Sequence, residues 1–215
     1  MDEVLFRSPR KRGRVAVFLS GRGSNFLALR EAVDRGTIDA EIALVLSNKA
    51  DAPGLLKARE SGLDAVFLDP KAFAAREDYD RAVLAEVERR RVDLVCLAGY
   101  MKVLTPALCE ALRHRAVNIH PALLPSFPGL HVQRKAIDWG VRVSGCTVHF
   151  VAAEVDAGPI ILQAAVPVLQ DDTEETLAAR ILAEEHRIYP EAVRLYFQGR
   201  IEVRGRRVFI LGPGA

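Results

Sequence analysis

The chain is poor in cysteine: Cys96, Cys109 and Cys146 are its three, widely spaced and without a C-x-x-C pair. That leaves no disulfide framework and no paired-thiol redox centre, and it points to a reducing compartment. Cys96 and Cys146 lie in apolar surroundings and are expected as small core residues. Long hydrophobic runs are missing as well. No stretch approaches the ~18 apolar residues that span a bilayer, and no basic segment leads into an apolar signal core. The expectation is a cytoplasmic protein without a membrane partner. Charge of one sign is scarce too: 30 Lys and Arg against 28 Asp and Glu leave a formal +2, so no nucleic-acid partner is expected. The local exception, Arg7, Arg10, Lys11, Arg12 and Arg14, reads as a solvated, flexible basic leader over residues 1–13.

Absent motifs narrow the chemistry. His114, His120, His131, His149 and His186 are scattered, with no H-E-x-x-H, so no metal is expected. Ser24 and Ser126 lack the G-x-S-x-G elbow of a serine nucleophile. There is no G-K-[ST] of a P-loop. The dinucleotide fingerprint G-x-G-x-x-G fails at Phe26, and Ser47-Asn48-Lys49 stand where a ribose-binding acid would end the second strand.

What is present is alternation. Apolar runs at Arg14–Leu19, Glu41–Leu46, Asp64–Leu68, Asp93–Ala98 and Arg115–Ile119 read as buried strands. Between them, Asn25–Arg35, Pro53–Ser61, Ala75–Arg90 and Pro106–Leu112 read as helices. This predicts an α/β domain with a mostly parallel sheet covered on both faces. Val143–Val151 and Ile160–Val168 then form an antiparallel hairpin with a long loop. Thr173–Gln198 is a closing helix that Thr173 and Thr176 can cap, and Arg200–Ile210 a last hairpin turning at Gly205. A single domain over 14–211 is expected.

Three segments carry candidate chemistry. Asn118 and His120 sit two apart at a strand end and so project to one side, pairing an oxygen-gripping amide with a side chain that titrates near neutrality. Pro121, Pro125 and Pro128 stiffen the loop that follows, which suits a preorganised site. Ser20-Gly21-Arg22-Gly23-Ser24-Asn25, at a strand-to-helix turn, is either a phosphate cradle sized for a monophosphate or a tight turn without a ligand. Asp156, in Val155-Asp156-Ala157-Gly158-Pro159, is either a turn residue or, if its loop folds back, a partner for His120. A carboxylate beside an imidazole favours the charged ring, a general acid, with Asn118 nearby to hold an oxyanion.

Taken with Ser47-Asn48-Lys49-Ala50, Leu97–Leu104, Val148–Val151 and Glu185-His186-Arg187-Ile188-Tyr189-Pro190, these segments resemble the phosphoribosylglycinamide formyltransferases from about Val15 to Ile210. The resemblance implies a Rossmann-like fold and transfer of the formyl group of 10-formyltetrahydrofolate, the co-substrate, to the amine of glycinamide ribonucleotide. It implies Asn118, His120 and Asp156 as the catalytic trio; Gly23, Ser24 and Asn25 on the nucleotide phosphate; and Glu185 orienting the nucleotide. Arg76, Met101, Lys102, Val103, Leu104 and Asn118 are implied on the folate. Ala122 stands where many relatives carry Ser, and Tyr100 replaces a common Phe. Among relatives of this fold, formyltetrahydrofolate deformylase is the nearest alternative, though it usually carries an amino-terminal domain for which the leader leaves no room. Methionyl-tRNA formyltransferase would need a carboxy-terminal domain and a basic surface, and sugar-nucleotide formyltransferases lack the S-G-x-G-S-N cradle. A non-catalytic folate or nucleotide binder is the reading from another class.

Overall fold

The computed structural model describes residues 12–212 and the backbone of Val4–Leu5. The expected leader thus lies largely outside the described residues. Val4–Leu5 (β1) forms a short antiparallel pairing with the end of the chain, described below, and Gly13 already belongs to the first long strand.

The order is β2 (Gly13–Leu19), α1 (Ser24–Asp34), β3 (Ala40–Ser47), α2 (Pro53–Glu60) and β4 (Ala65–Phe67). A 3-10 turn (Pro70–Ala72) leads to α3 (Arg76–Arg89), β5 (Leu94–Leu97), α4 (Pro106–Ala111) and β6 (Ala116–His120). Then come α5 (Val132–Asp138), β7 (Val143–Phe150), β8 (Ile160–Pro167), α6 (Glu174–Phe197), β9 (Ile201–Arg204) and β10 (Arg207–Ile210). One sheet of seven strands runs β4-β3-β2-β5-β6-β7-β8; the first five are parallel and the last two antiparallel. β1, β9 and β10 form a separate antiparallel sheet.

β2 shows why its continuous apolar run makes a central strand. Successive side chains point to opposite faces, and both faces are covered. Val15, Val17 and Leu19 join one core with Phe26 of α1, Leu55 of α2 and Tyr189 of α6. Ala16 and Phe18 join the other with Tyr79 and Val83 of α3 and Leu108 of α4. Cys96 and Cys146 are fully buried in the first core, as their neighbours predict. The α6 amino end is fixed by a reciprocal capping box: Thr173 Oγ1 accepts from Thr176 N and Thr176 Oγ1 from Thr173 N. Such a cap contributes about 1 kcal/mol. From the middle of α6 the Tyr189 hydroxyl reaches the Leu97 carbonyl at 2.9 Å, tying the helix to the sheet.

Besides β1 and the 3-10 turn, two elements differ from the sequence expectation. Residues 132–138, to which no element was assigned, form α5, whose short apolar stripe is Val132 and Ala136. β6 also runs one residue further than expected, so His120 is the last residue of the strand rather than the first of the loop.

Candidate active site

After β2 the chain turns to β3 on one side, whereas β5 lies on the other. Loops leaving the carboxyl ends of such strands diverge and open a crevice. A cleft of about 580 Å³ occupies this position, walled by Asn25 of α1, Glu185 of α6, the 101–104 segment, and Asn118, His120 and Asp156.

Of the two alternatives left open for Asp156, the loop folds back toward His120. Gly158 makes it feasible, because a Cβ there would lie 1.7 Å from the Phe150 carbonyl oxygen at the end of β7. Asp156 itself takes a left-handed backbone (φ 55°), a strained conformation for a residue with a side chain. Its Oδ2 lies 3.4 Å from His120 Nδ1, and the two side chains expose only 9% and 6%, so little water screens the contact. The same Oδ2 accepts a hydrogen bond from Gly129 N at 2.9 Å. On the other edge of the ring, His120 Nε2 lies 2.9 Å from the Phe127 carbonyl. A carbonyl can only accept, so Nε2 carries a proton, and an imidazolium would aim its second proton at Asp156.

The residue that the sequence reading passed over is His149. It faces Asn118 directly in the antiparallel register of β6 and β7. His149 Nδ1 lies 2.8 Å from the Phe150 carbonyl and therefore carries the proton. Nε2 is left as a lone pair, and Asn118 Nδ2 donates to it at 3.2 Å. Burial pushes the ring below the ordinary histidine range, against the opposing effects of the Phe150 carbonyl and of Asp156. A neutral His149 thereby fixes which end of the Asn118 amide is nitrogen. One amide N–H is spent on the ring, and the other remains for the cleft. A lone histidine in an apolar strand gives no local signal of this; only the strand pairing reveals it.

At the cradle, Gly23 caps α1 with a left-handed backbone (φ 75°), and a Cβ there would meet the Cα of Gly54 at 2.8 Å. The amino ends of α1 and α2 consequently meet, which brings the positive ends of two helix dipoles together beside Gly23. Asn25 lines the cleft, whereas Gly23 and Ser24, which precede it in the chain, are not among its lining residues. Asn25 Nδ2 donates to Glu185 Oε2 at 2.7 Å. Asn25 Oδ1 is buried without a hydrogen-bond partner. Burial pushes the Glu185 carboxyl above the ordinary carboxylate range, and the Asn25 bond partly offsets this.

The segment expected on the folate borders the same cleft. Met101 and Val103 are 63% and 55% exposed, an unusual presentation of apolar side chains, and Leu104 is buried. Arg76 lies outside the lining and donates through Nη2 to the Val103 carbonyl at 2.9 Å, bracing the segment. Tyr100 uses the hydroxyl that a Phe would lack: it pairs with the Tyr79 hydroxyl at 2.6 Å. Among the described residues, no group of three His, Cys, Asp or Glu side chains is placed to hold a metal ion. Among the same residues no helix is long and apolar enough to cross a membrane.

A mostly parallel α/β sheet with a partly buried Asn/His/Asp trio at its carboxyl edge defines a class, and the chain belongs to the formyl transferase family, whose sequence profile matches residues 13–193. Within it, the chain is 47% identical over 191 residues to the trifunctional purine biosynthetic protein adenosine-3 of Drosophila melanogaster, covering 88% of this chain and 14% of that protein. The chain therefore spans about a seventh of that relative's length. It is 41% identical to the phosphoribosylglycinamide formyltransferase of Escherichia coli K12 over 198 residues, covering 92% of this chain and 93% of that one. The crystal structure of glycinamide ribonucleotide transformylase 1 from Symbiobacterium toebii superposes with a TM-score of 0.92 at 52% identity, covering 94% of this chain and 95% of that one. A formyltetrahydrofolate deformylase from Pseudomonas syringae shares the fold at 30% identity and a TM-score of 0.83, covering 94% of this chain and 66% of that one.

Proposed function

We propose that this chain transfers the formyl group of 10-formyltetrahydrofolate to the amine of glycinamide ribonucleotide, giving the N-formyl product and tetrahydrofolate in purine biosynthesis. The observation that carries the reading is the meeting of Asn118, His120 and Asp156 in one cleft, bordered by the α1 amino end and the 101–104 segment. Similarity to the bacterial formyltransferases along nearly the whole of both chains favours transfer over hydrolysis. The deformylase is less alike and is a longer protein.

In this mechanism the uncharged amine attacks the formyl carbon, a C–N bond forms, and the carbonyl oxygen becomes an oxyanion. The free amide N–H of Asn118 and protonated His120 stabilise that oxyanion. The bond to the folate nitrogen then breaks as that nitrogen gains a proton, and the attacking amine gives one up to water. His120 supplies the proton, directly or through one water, while Asp156 holds the imidazolium from the Nδ1 side. Because Phe127 accepts the Nε2 proton in this structure, the 121–131 loop has to release the ring for that step. The amine is an adequate nucleophile, so no covalent enzyme intermediate is invoked.

The nucleotide phosphate is assigned to the backbone N–H groups of Gly23, Ser24 and Asn25 at the joined helix ends. Glu185, an acceptor beside the unpartnered Asn25 Oδ1, orients the nucleotide through its own donors. The exposed apolar side chains of the 101–104 segment suit the flat pteridine, with Arg76 and Asn118 completing the folate site. A spectrophotometric assay with a 10-formyl folate tests the reading. Folate deformylation that requires glycinamide ribonucleotide is the expected result. Deformylation without it would mean a hydrolase, and bound folate with no turnover would mean a binding protein.

A further inference from the structure

The two substrate sites proposed above hang on different strands: the cradle on β2 and the 101–104 segment on β5. At a switch point the loops from such neighbours diverge, and the backbone bonds that join β2 to β5 end at Ala98 N to the Phe18 carbonyl (2.8 Å) and Ser20 N to the Gly99 carbonyl (3.0 Å). Beyond them one hydroxyl ties the 101–104 segment itself to the β2 end. Ser20, the first residue after β2 and itself buried, accepts a hydrogen bond from Met101 N at 2.8 Å through Oγ. The same Oγ donates to Asn48 Oδ1, just beyond β3, at 2.6 Å. Its backbone N donates to the Gly99 carbonyl at 3.0 Å. Three adjacent strand ends, β3, β2 and β5, are thus stitched through one side chain. The stitch continues into the cradle, where Gly54 N donates to the Gly21 carbonyl at 3.0 Å. Having one proton given and one accepted, the hydroxyl is satisfied within the protein and is not left over to bind a ligand.

Resting on the formyl-transfer reading, we propose that Ser20 is a positioning residue that fixes the distance between the nucleotide cradle and the folate segment. It thereby sets the distance between the amine and the formyl carbon. Its effect should fall on turnover more than on affinity. Each substrate can still bind its own loop when the loops are unpinned, but the reacting atoms no longer meet at the required separation. A misplacement near 1 Å can cost about 100-fold in rate.

The test is steady-state kinetics of Ser20→Ala alongside equilibrium binding of each substrate alone. The expected result is a kcat reduced about 10- to 100-fold with both dissociation constants within about threefold of the parent. An unchanged kcat, or a loss that tracks only the fraction unfolded, would overturn the proposal. So would a weakened folate affinity with full turnover at saturation. Should Ser20→Ala fail to fold, Asn48→Ala, just beyond β3, removes only the acceptor of the Ser20 proton. It should show the same split at about threefold, about the value of one modest hydrogen bond, and its absence overturns the proposal equally. The parent protein is the control for the parent reading: absence of nucleotide-dependent turnover there refutes formyl transfer and not the role of Ser20.

Discussion

Replacing His149, only 2% exposed, with Phe leaves no cavity, because the phenyl ring is somewhat larger than the imidazole it replaces. What is lost is the pair of ring nitrogens. The Phe150 carbonyl loses the Nδ1 proton at 2.8 Å, and Asn118 Nδ2 loses its acceptor at 3.2 Å. A buried polar group left without a partner costs about 1–3 kcal/mol. For a chain of this size the melting temperature falls by about 2–4 °C per kcal/mol. The larger effect is on rate, because the Asn118 amide can then flip and present its oxygen to a developing oxyanion. Loss of one oxyanion donor costs about 10²–10³ in kcat, and a flipping amide that is correct part of the time should cost about 10- to 100-fold. Acid sensitivity shifts as well. The folded His149 titrates below its ordinary 6.5, so its contribution to stability is present above that value and is lost as pH falls through the folded one. The variant should lack this part of the acid destabilisation. Formyl-transfer kinetics at saturating folate, with thermal melts from pH 5 to 8, make the measurement. A kcat within threefold of the parent would refute the positioning argument.

Three further substitutions extend the account. His120→Ala should lower turnover by about 10² to 10⁴, the usual scale of general acid–base work, while folate and nucleotide still bind; near-full turnover would remove His120 from the mechanism. Asp156→Asn keeps an acceptor for Gly129 N but removes the charge facing His120, so kcat should fall about 10-fold or more with an unchanged melting temperature. A fall in stability without a fall in kcat would make Asp156 a loop-holding residue only. For Glu185 the folded carboxyl titrates above its ordinary 4.5, so its stabilising contribution is full below that value and is lost as pH rises through the folded one. Glu185→Gln, whose amide can donate to the unpartnered Asn25 Oδ1, should therefore melt about 2–4 °C higher at pH 8 while turning over more slowly. A lower melting temperature at pH 8 would contradict this.

Elements whose logic is local were legible from the residues. β2, β3 and β5 are uninterrupted apolar runs, as strands covered on both faces must be, and Thr173 with Thr176 marked the start of α6. α5 was not legible. Its seven residues bury only Val132 and Ala136, and it begins directly after His131, whose left-handed backbone ends the proline-rich loop. Asn118, His120 and Asp156 could be singled out because amide, imidazole and carboxylate are chemically conspicuous. Their meeting, by contrast, depends on Gly158 letting the loop lie close against the Phe150 carbonyl at the end of β7. His149 and Ser20 stayed hidden for a shared reason. Each acts through a partner on another strand, and register between strands distant in sequence is not written in either segment alone.

The proposed reaction passes a formyl group from folate to an amine rather than to water. The most direct measurement follows the label from 10-[13C-formyl]tetrahydrofolate in a single turnover with glycinamide ribonucleotide, read by carbon NMR. The label is expected to appear as a formamide on the nucleotide, with none released as formate. Label recovered as free formate, with the nucleotide unmodified, would contradict it.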